Sequence, residues 1–165
     1  MFCYQCEQTA RGEGCVKAGV CGKDADVAAL QDVLVYALKG LSAVAVDARR
    51  LGIIDHDINV FTIKALFSTI TNIDFDQTSF VELIKKCITV RNALKDKVKK
   101  AGRIVDEKHV AVTFLPESTV AGLVGQAKIA LLKADTSINP DILSLQHILL
   151  FGVKGVAAYA NHNAG

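Results

Sequence analysis

Apolar residues recur at intervals of three and four along most of this chain, the spacing of a helix with one buried face. After Asp24 and Asp26, either of which can cap a helix start, Val27, Leu30, Leu34, Ala37, Leu41, Ala45 and Ala48 form such a stripe. Arg49, Arg50 and Gly52 then predict its end. A second helix is expected from about Asp57 to Thr71, on Ile63, Leu66, Phe67 and Ile70. A third is expected from about Thr78 to Lys100, on Phe80, Leu83, Ile84, Cys87, Leu94 and Val98, stopped by Gly102. Residues 103–118 break the period. Val110 to Phe114 fit one short strand, but no partner strand is visible, so the segment reads as a loop. Ser118 is the expected cap of a fourth helix carrying Val120, Leu123, Val124, Ala127, Leu131 and Ala134. Asn139-Pro140-Asp141 combines a cap, a first-turn proline and a first-turn acid, and predicts a fifth helix to about Asn161.

The first and fifth helices read as two copies of one pattern. Leu30 to Ala45 aligns without gaps to Leu145 to Ala160, with seven of sixteen positions identical, including Lys39 with Lys154 and Gly40 with Gly155. A glycine inside a helix costs about 1 kcal/mol relative to alanine. Its presence in both copies predicts a close approach at that point. The repeat suggests two bundles on one plan, the second with two helices against three in the first.

Composition agrees with a helical body. The 165 residues are 51% hydrophobic and 22% charged, with only two prolines. That excludes a disordered chain and suits long helices better than a turn-rich sandwich. Nineteen basic against seventeen acidic residues, with no long run of one sign, give no nucleic-acid footprint. No uncharged apolar run of about 18 residues appears, and the N-terminus lacks the features of a signal peptide, so no membrane span is expected and the location is read as cytoplasmic. Lysines 95, 97, 99 and 100 read as a solvated helix end, matched to the negative pole of the helix dipole.

Cysteine placement changes the picture. Four of the five cysteines, Cys3, Cys6, Cys15 and Cys21, fall in the first 21 residues, beside Gly12, Gly14, Gly19 and Gly22. In a reducing compartment such thiols are metal ligands or free thiols rather than disulfides. Four thiolates can close a zinc site or hold an iron–sulfur cluster. The gaps of two, eight and five residues differ from two short zinc-knuckle pairs, and also from the bacterial ferredoxin run. A glycine-rich loop can wrap a cluster and offer N–H groups to its sulfurs. Spacing alone leaves cluster, zinc and redox thiols open. Cys87, on a helix stripe, reads as a buried structural residue.

The N-terminal run Met1-Phe-Cys-Tyr-Gln-Cys-Glu-Gln-Thr, with Gly14-Cys15, Gly19-Val-Cys21-Gly-Lys23 and Leu30 to Gly40, resembles the start of the hybrid cluster (prismane, hydroxylamine reductase) proteins. Leu150 to Ala160 resembles a later helix of their first domain. The resemblance implies a helical first domain of two three-helix bundles. It also implies a 4Fe–4S cluster on Cys3, Cys6, Cys15 and Cys21, and two-electron reduction of hydroxylamine at a second, hybrid cluster. The ligands of that second cluster would lie in later domains, so the chain is expected to match the first domain only. It would be inactive alone and relay electrons from an external donor. The alternative is a structural zinc module or a metal-free helical interaction domain; for the cofactor, zinc or a cluster lost from the protein stands beside the 4Fe–4S cluster.

The resulting expectation is an all-α protein of about five long helices. Residues 1–25 form the metal-binding loop, 26–102 a three-helix bundle and 103–165 an incomplete second bundle. Apolar residues on several sides of the fourth and fifth helices (Val120, Leu123, Leu131, Leu132, Ile148, Leu149, Leu150, Val153) predict cover by later domains or by a second copy in a homodimer. The histidines read as bystanders: His56 in a turn, His109 in the irregular segment, His147 on an exposed side and His162 near a solvated end. Gly12-Glu-Gly14 lacks the preceding strand of a phosphate loop, and no residue is a catalytic candidate. Arg11, Lys17 and Lys23 flank the cysteines, either to offset cluster charge or merely to solubilise the loop.

Overall fold

The computed structural model describes residues 1–7, 10–105, 107, 109–130 and 138–163. Among them it has six helices and no strand: α1 (Ala25–Arg50), α2 (His56–Ser68), α3 (Gln77–Lys100), α4 (Val110–Thr113), α5 (Val120–Ala130) and α6 (Pro140–Asn163). Leu131, Leu132 and Ala134 lie outside the described residues.

Caps set most boundaries. Asp24 Oδ1 accepts from the Val27 N–H at 2.7 Å, so Asp24 rather than Asp26 opens α1. Asp55 and Asp76 do the same for α2 and α3. Asn139 accepts from the Asp141 N–H at 2.8 Å. The cap of α5 is Thr119, one residue beyond the expected Ser118, and its Oγ1 accepts from Gly122. The second helix stops at Ser68, short of Thr71. There the Ser68 and Thr69 hydroxyls donate back to the Ala65 and Leu66 carbonyls, the local competition by which such residues end helices.

The segment expected as a loop or lone strand holds one helical turn, α4. Arg91 explains it. This arginine of α3 is buried, and its guanidinium donates to the Ala111 and Phe114 carbonyls at 3.1 and 2.8 Å. Those bonds satisfy backbone acceptors that a strand would need a neighbour to satisfy.

Helix α1 runs through the centre. It packs most extensively against α3, and also against α5 and α4, while α2 packs chiefly against α6. The core joins Leu30, Leu34 and Leu41 of α1 to Phe61 of α2, to Phe80, Ile84 and Cys87 of α3, and to Leu123 of α5. Lys97 pairs with Asp55 at 2.8 Å and Lys95 with Glu107, in keeping with a solvated end of α3.

The two repeat copies are buried differently. Val27, Leu30, Val33, Leu34, Leu41 and Val44 of α1 lie in the core. Their counterparts Ile142, Leu145, Ile148, Leu149, Val156 and Tyr159 of α6 are exposed, Leu149 to 68%. Each of α1 and α6 contains an 18-residue window of mean hydropathy 1.4, buried to 67% in α1 and 11% in α6.

The close approach predicted from the paired glycines occurs once. At Gly40 an added Cβ would overlap the Ala111 carbonyl oxygen, whereas at Gly155 it would meet nothing. Gly40→Ala should therefore destabilise the fold by about 1–3 kcal/mol through overpacking. Gly155→Ala should stabilise it by up to about 1 kcal/mol through helix propensity. Urea denaturation followed by circular dichroism measures both. Equal effects at the two sites would contradict the packing difference.

Candidate metal centre

The loop before α1 is shaped by glycines and a few backbone bonds. Gly12, Gly14 and Gly22 have φ of 74°, 73° and 90°, conformations that L side chains rarely adopt. Gly19 donates to the Lys23 carbonyl at 3.0 Å, and a Cβ at Gly19 would sit 2.6 Å from that oxygen. Phe2 donates to the Cys15 carbonyl at 2.9 Å, which holds the chain start beside the middle of the loop.

All five cysteines are free thiols. Cys3 and Cys15 are buried together against Ala28 of α1, with Phe2 packed on them, while Cys6 and Cys21 are half-buried. Burial pushes the Cys3 thiol up, opposed by a hydrogen bond from the Gln5 backbone N–H and by the charge of Lys23. Cys87 stands apart, fully buried in the core on α3. Burial pushes its thiol up to about 12 against the pull of Arg91, which fits the structural role expected of it.

Beneath the loop lies a buried polar network that sequence reasoning missed. Gln5, Lys23, Gln31, Asp32 and Lys154 are all buried. Gln5 Nε2 donates to Asp32 Oδ1, and Lys23 Nζ donates to Gln31 Oε1. Lys154 Nζ, from α6, donates to the Gln5 carbonyl at 3.2 Å and to Gln5 Oε1 at 2.6 Å. Burial pushes the Asp32 carboxyl up to about 7, against the charge of Lys154 and the Gln5 hydrogen bond. It brings Lys154 down to about 8, aided by Lys23 and opposed by Asp32 and the thiols of Cys3 and Cys6. The three flanking cations therefore separate: Arg11 and Lys17 are exposed, while Lys23 is buried under the thiols. The one signal for Lys154 was the repeated Lys-Gly pair.

His147 is half-buried, not on an exposed side. Its ring lies 5.9 Å from Tyr4 and 6.1 Å from Phe151. These three residues and Cys6 line a largely apolar cavity of about 470 Å³. Burial, then Lys39 and Lys154, lower the His147 pKa. The other histidines stay apart: His56 opens α2, His109 caps α4 and His162 contacts the Phe67 ring.

Among the described residues no three Cys, His, Asp or Glu side chains are gathered tightly enough to hold one metal ion. The fit to a metal group lies in donor chemistry: four unpaired thiols on one loop, a wall of Phe2 and Ala28 that excludes water from two of them, and two buried lysines to offset thiolate charge.

A profile of the prismane/CO dehydrogenase family matches residues 1–164. Over 162 residues the chain is 56% identical to a hydroxylamine reductase of Syntrophobacter fumaroxidans, covering 98% of this chain and 30% of that protein. It is 51% identical to a hydroxylamine reductase of Methanocella arvoryzae over 163 residues, with the same coverages. To that of Solidesulfovibrio magneticus it is 47% identical over 165 residues, covering 99% of this chain and 30% of that protein. The chain thus spans about 30% of the length of these curated relatives, aligned along nearly all of its own. With its helical fold, its N-terminal cysteine loop and this match, the chain belongs to the prismane/CO dehydrogenase family.

Proposed function

We propose that this chain is the N-terminal electron-transfer part of a cytoplasmic hydroxylamine reductase, with a 4Fe–4S cluster held by Cys3, Cys6, Cys15 and Cys21. The observation that carries the reading is the set of four free thiols, two of them buried, above the buried cations Lys23 and Lys154. When bound, such a cluster takes up and releases one electron at a time. The protein's part is to hold and tune it. Thiolates supply the soft ligands, Phe2 and Ala28 keep water from Cys3 and Cys15, and the Gln5 N–H hydrogen bond and the lysines balance charge. Hydroxylamine reduction itself is assigned to a hybrid cluster in the remaining polypeptide, fed from an external donor through this loop. Residues 1–25 form the metal-binding unit. Residues 26–102 and 103–165 serve as the helical body that carries it.

Anaerobic iron and sulfide analysis tests the ligand set. Cys3→Ser, Cys6→Ser, Cys15→Ser and Cys21→Ser should each lower iron per chain by about tenfold, because an alkoxide replaces a soft ligand poorly. Cys87→Ala should leave iron content unchanged. A colourless protein carrying zinc and no sulfide would favour the structural-zinc reading instead.

The exposed face of α6 is read as the surface that the rest of the full-length protein covers. Among the described residues of α5, Leu123 and Ala127 are already buried in the core, so the exposed face of α6 carries this reading. The isolated chain is expected to cover that face by pairing with a second copy. Sedimentation equilibrium at micromolar concentration should give twice the monomer mass, and Leu149→Glu should return the monomer. A single species near 17.7 kDa for the unsubstituted chain would exclude the pair.

A further inference from the structure

We propose that Lys154 is a positioning residue that locks the Cys3–Cys6 segment in place through Gln5, so that α6 and the cysteine loop move as one unit. The inference rests on the reading of these cysteines as ligands. Gln5 lies between Cys3 and Cys6 and is held at its carbonyl and at both ends of its side-chain amide. Its carbonyl and its side-chain oxygen both accept from Lys154 Nζ. Its side-chain amide donates to Asp32 at the base of α1. One ammonium thus grips both ends of a residue 149 positions away in sequence.

The chemistry favours a specific tether over incidental packing. Lys154 is 3% exposed. A buried ammonium is costly unless charge and hydrogen-bond partners surround it. Here Asp32 supplies opposite charge through Gln5, and no buried side-chain polar atom among the described residues lacks a partner. Removing the ammonium would leave two acceptors of Gln5 unsatisfied inside the protein. The Cys3–Cys6 segment also packs through Cys3, buried with Cys15 against Ala28, and through the Tyr4 ring beside His147 of α6, while the hydrogen bonds from Lys154 fix the Gln5 backbone and amide between them. Holding the backbone between Cys3 and Cys6 in one place is the functional consequence, since the surroundings of the ligand sulfurs tune a cluster.

Hydrogen–deuterium exchange on the metal-free chain tests the tether directly. Lys154→Met should speed exchange at residues 2–6 by at least about tenfold while leaving residues 77–100 within about twofold. Lys154→Arg, which keeps the charge and donors, should restore most of the protection. Gln5→Ala removes the side-chain half of the grip from the loop side, sparing only the backbone carbonyl bond, and leaves α6 intact, so it serves if Lys154→Met fails to fold. The double variant should exceed either single by no more than about threefold, as expected for partners in one interaction. Unchanged exchange at residues 2–6, additive effects, or equal acceleration across residues 77–100 would each overturn the proposal. On iron- and sulfide-loaded protein, Lys154→Met should release iron to a chelator at least about fivefold faster than the unsubstituted chain, and Lys154→Arg should not. If the unsubstituted chain binds no iron and sulfide, the ligand reading fails while the exchange result still decides the tether.

Discussion

Burial of α1 on nearly every side is the constraint from which the rest of the architecture follows. Helix α1 meets α3, α5 and α4, and its first turns also form the floor of the cysteine loop through Ala28, Gln31 and Asp32. A helix apolar around most of its circumference is stable in water only when enclosed. The core is therefore assembled around α1 rather than between paired layers. Gly40 belongs to the same logic. Without a Cβ, α1 can approach the Ala111 carbonyl, and Arg91 binds that same oxygen. One small residue and one buried guanidinium thus convert an irregular stretch into a fixed cover over the core.

At the N-terminal end of α1 the same enclosure has an electrostatic consequence. Asp32 points out of the core into a space shared with Lys23, Lys154 and the thiols, where water is scarce. Charges there interact more strongly than at the surface, and each is costly if left alone. The network answers this with neutral amides, Gln5 and Gln31, set against the ammonium and carboxylate groups. An amide both donates and accepts, so it can join unlike partners without adding charge. That accounts for two glutamines buried beneath a loop whose thiols would each bring negative charge if they held the proposed metal group.

What was legible in the sequence was local. Asp24 and Asn139 act where they stand, and the three- and four-residue spacing of Phe80, Ile84 and Cys87 places them in the core. Ser118 and Thr119 are neighbouring hydroxyls with equal claims to a cap, and only the direction of the chain entering α5 separates them. The turn at α4 depends on Arg91, which reaches it from about twenty residues earlier. The candidate site divides the same way. The four cysteines announce themselves by clustering. Gln5, Asp32 and Lys154 do not, because a buried lysine on an apolar helix has the same local signature as one that snorkels to water.

The repeat sharpens that division, because one pattern is used in two opposite orientations. In α6 the inward positions are Leu143, His147, Leu150, Lys154 and Ala157, spaced by three and four. Shifted by one repeat, these fall on Ala28, Asp32, Val35, Lys39 and Ser42 of α1, a stripe that runs from the loop floor out to exposed Ser42. The stripe of α1 that forms the core corresponds to the exposed side of α6. Both copies therefore turn the same stripe toward one shared space: Asp32 from one and Lys154 from the other converge on Gln5, and Val35 and Leu150 line a single cavity farther along. The two similar helices thus bring an acid from one copy and a base from the other to the same residue. Around the cysteines, the two similar helices therefore meet at Gln5, each through a different position of the shared pattern.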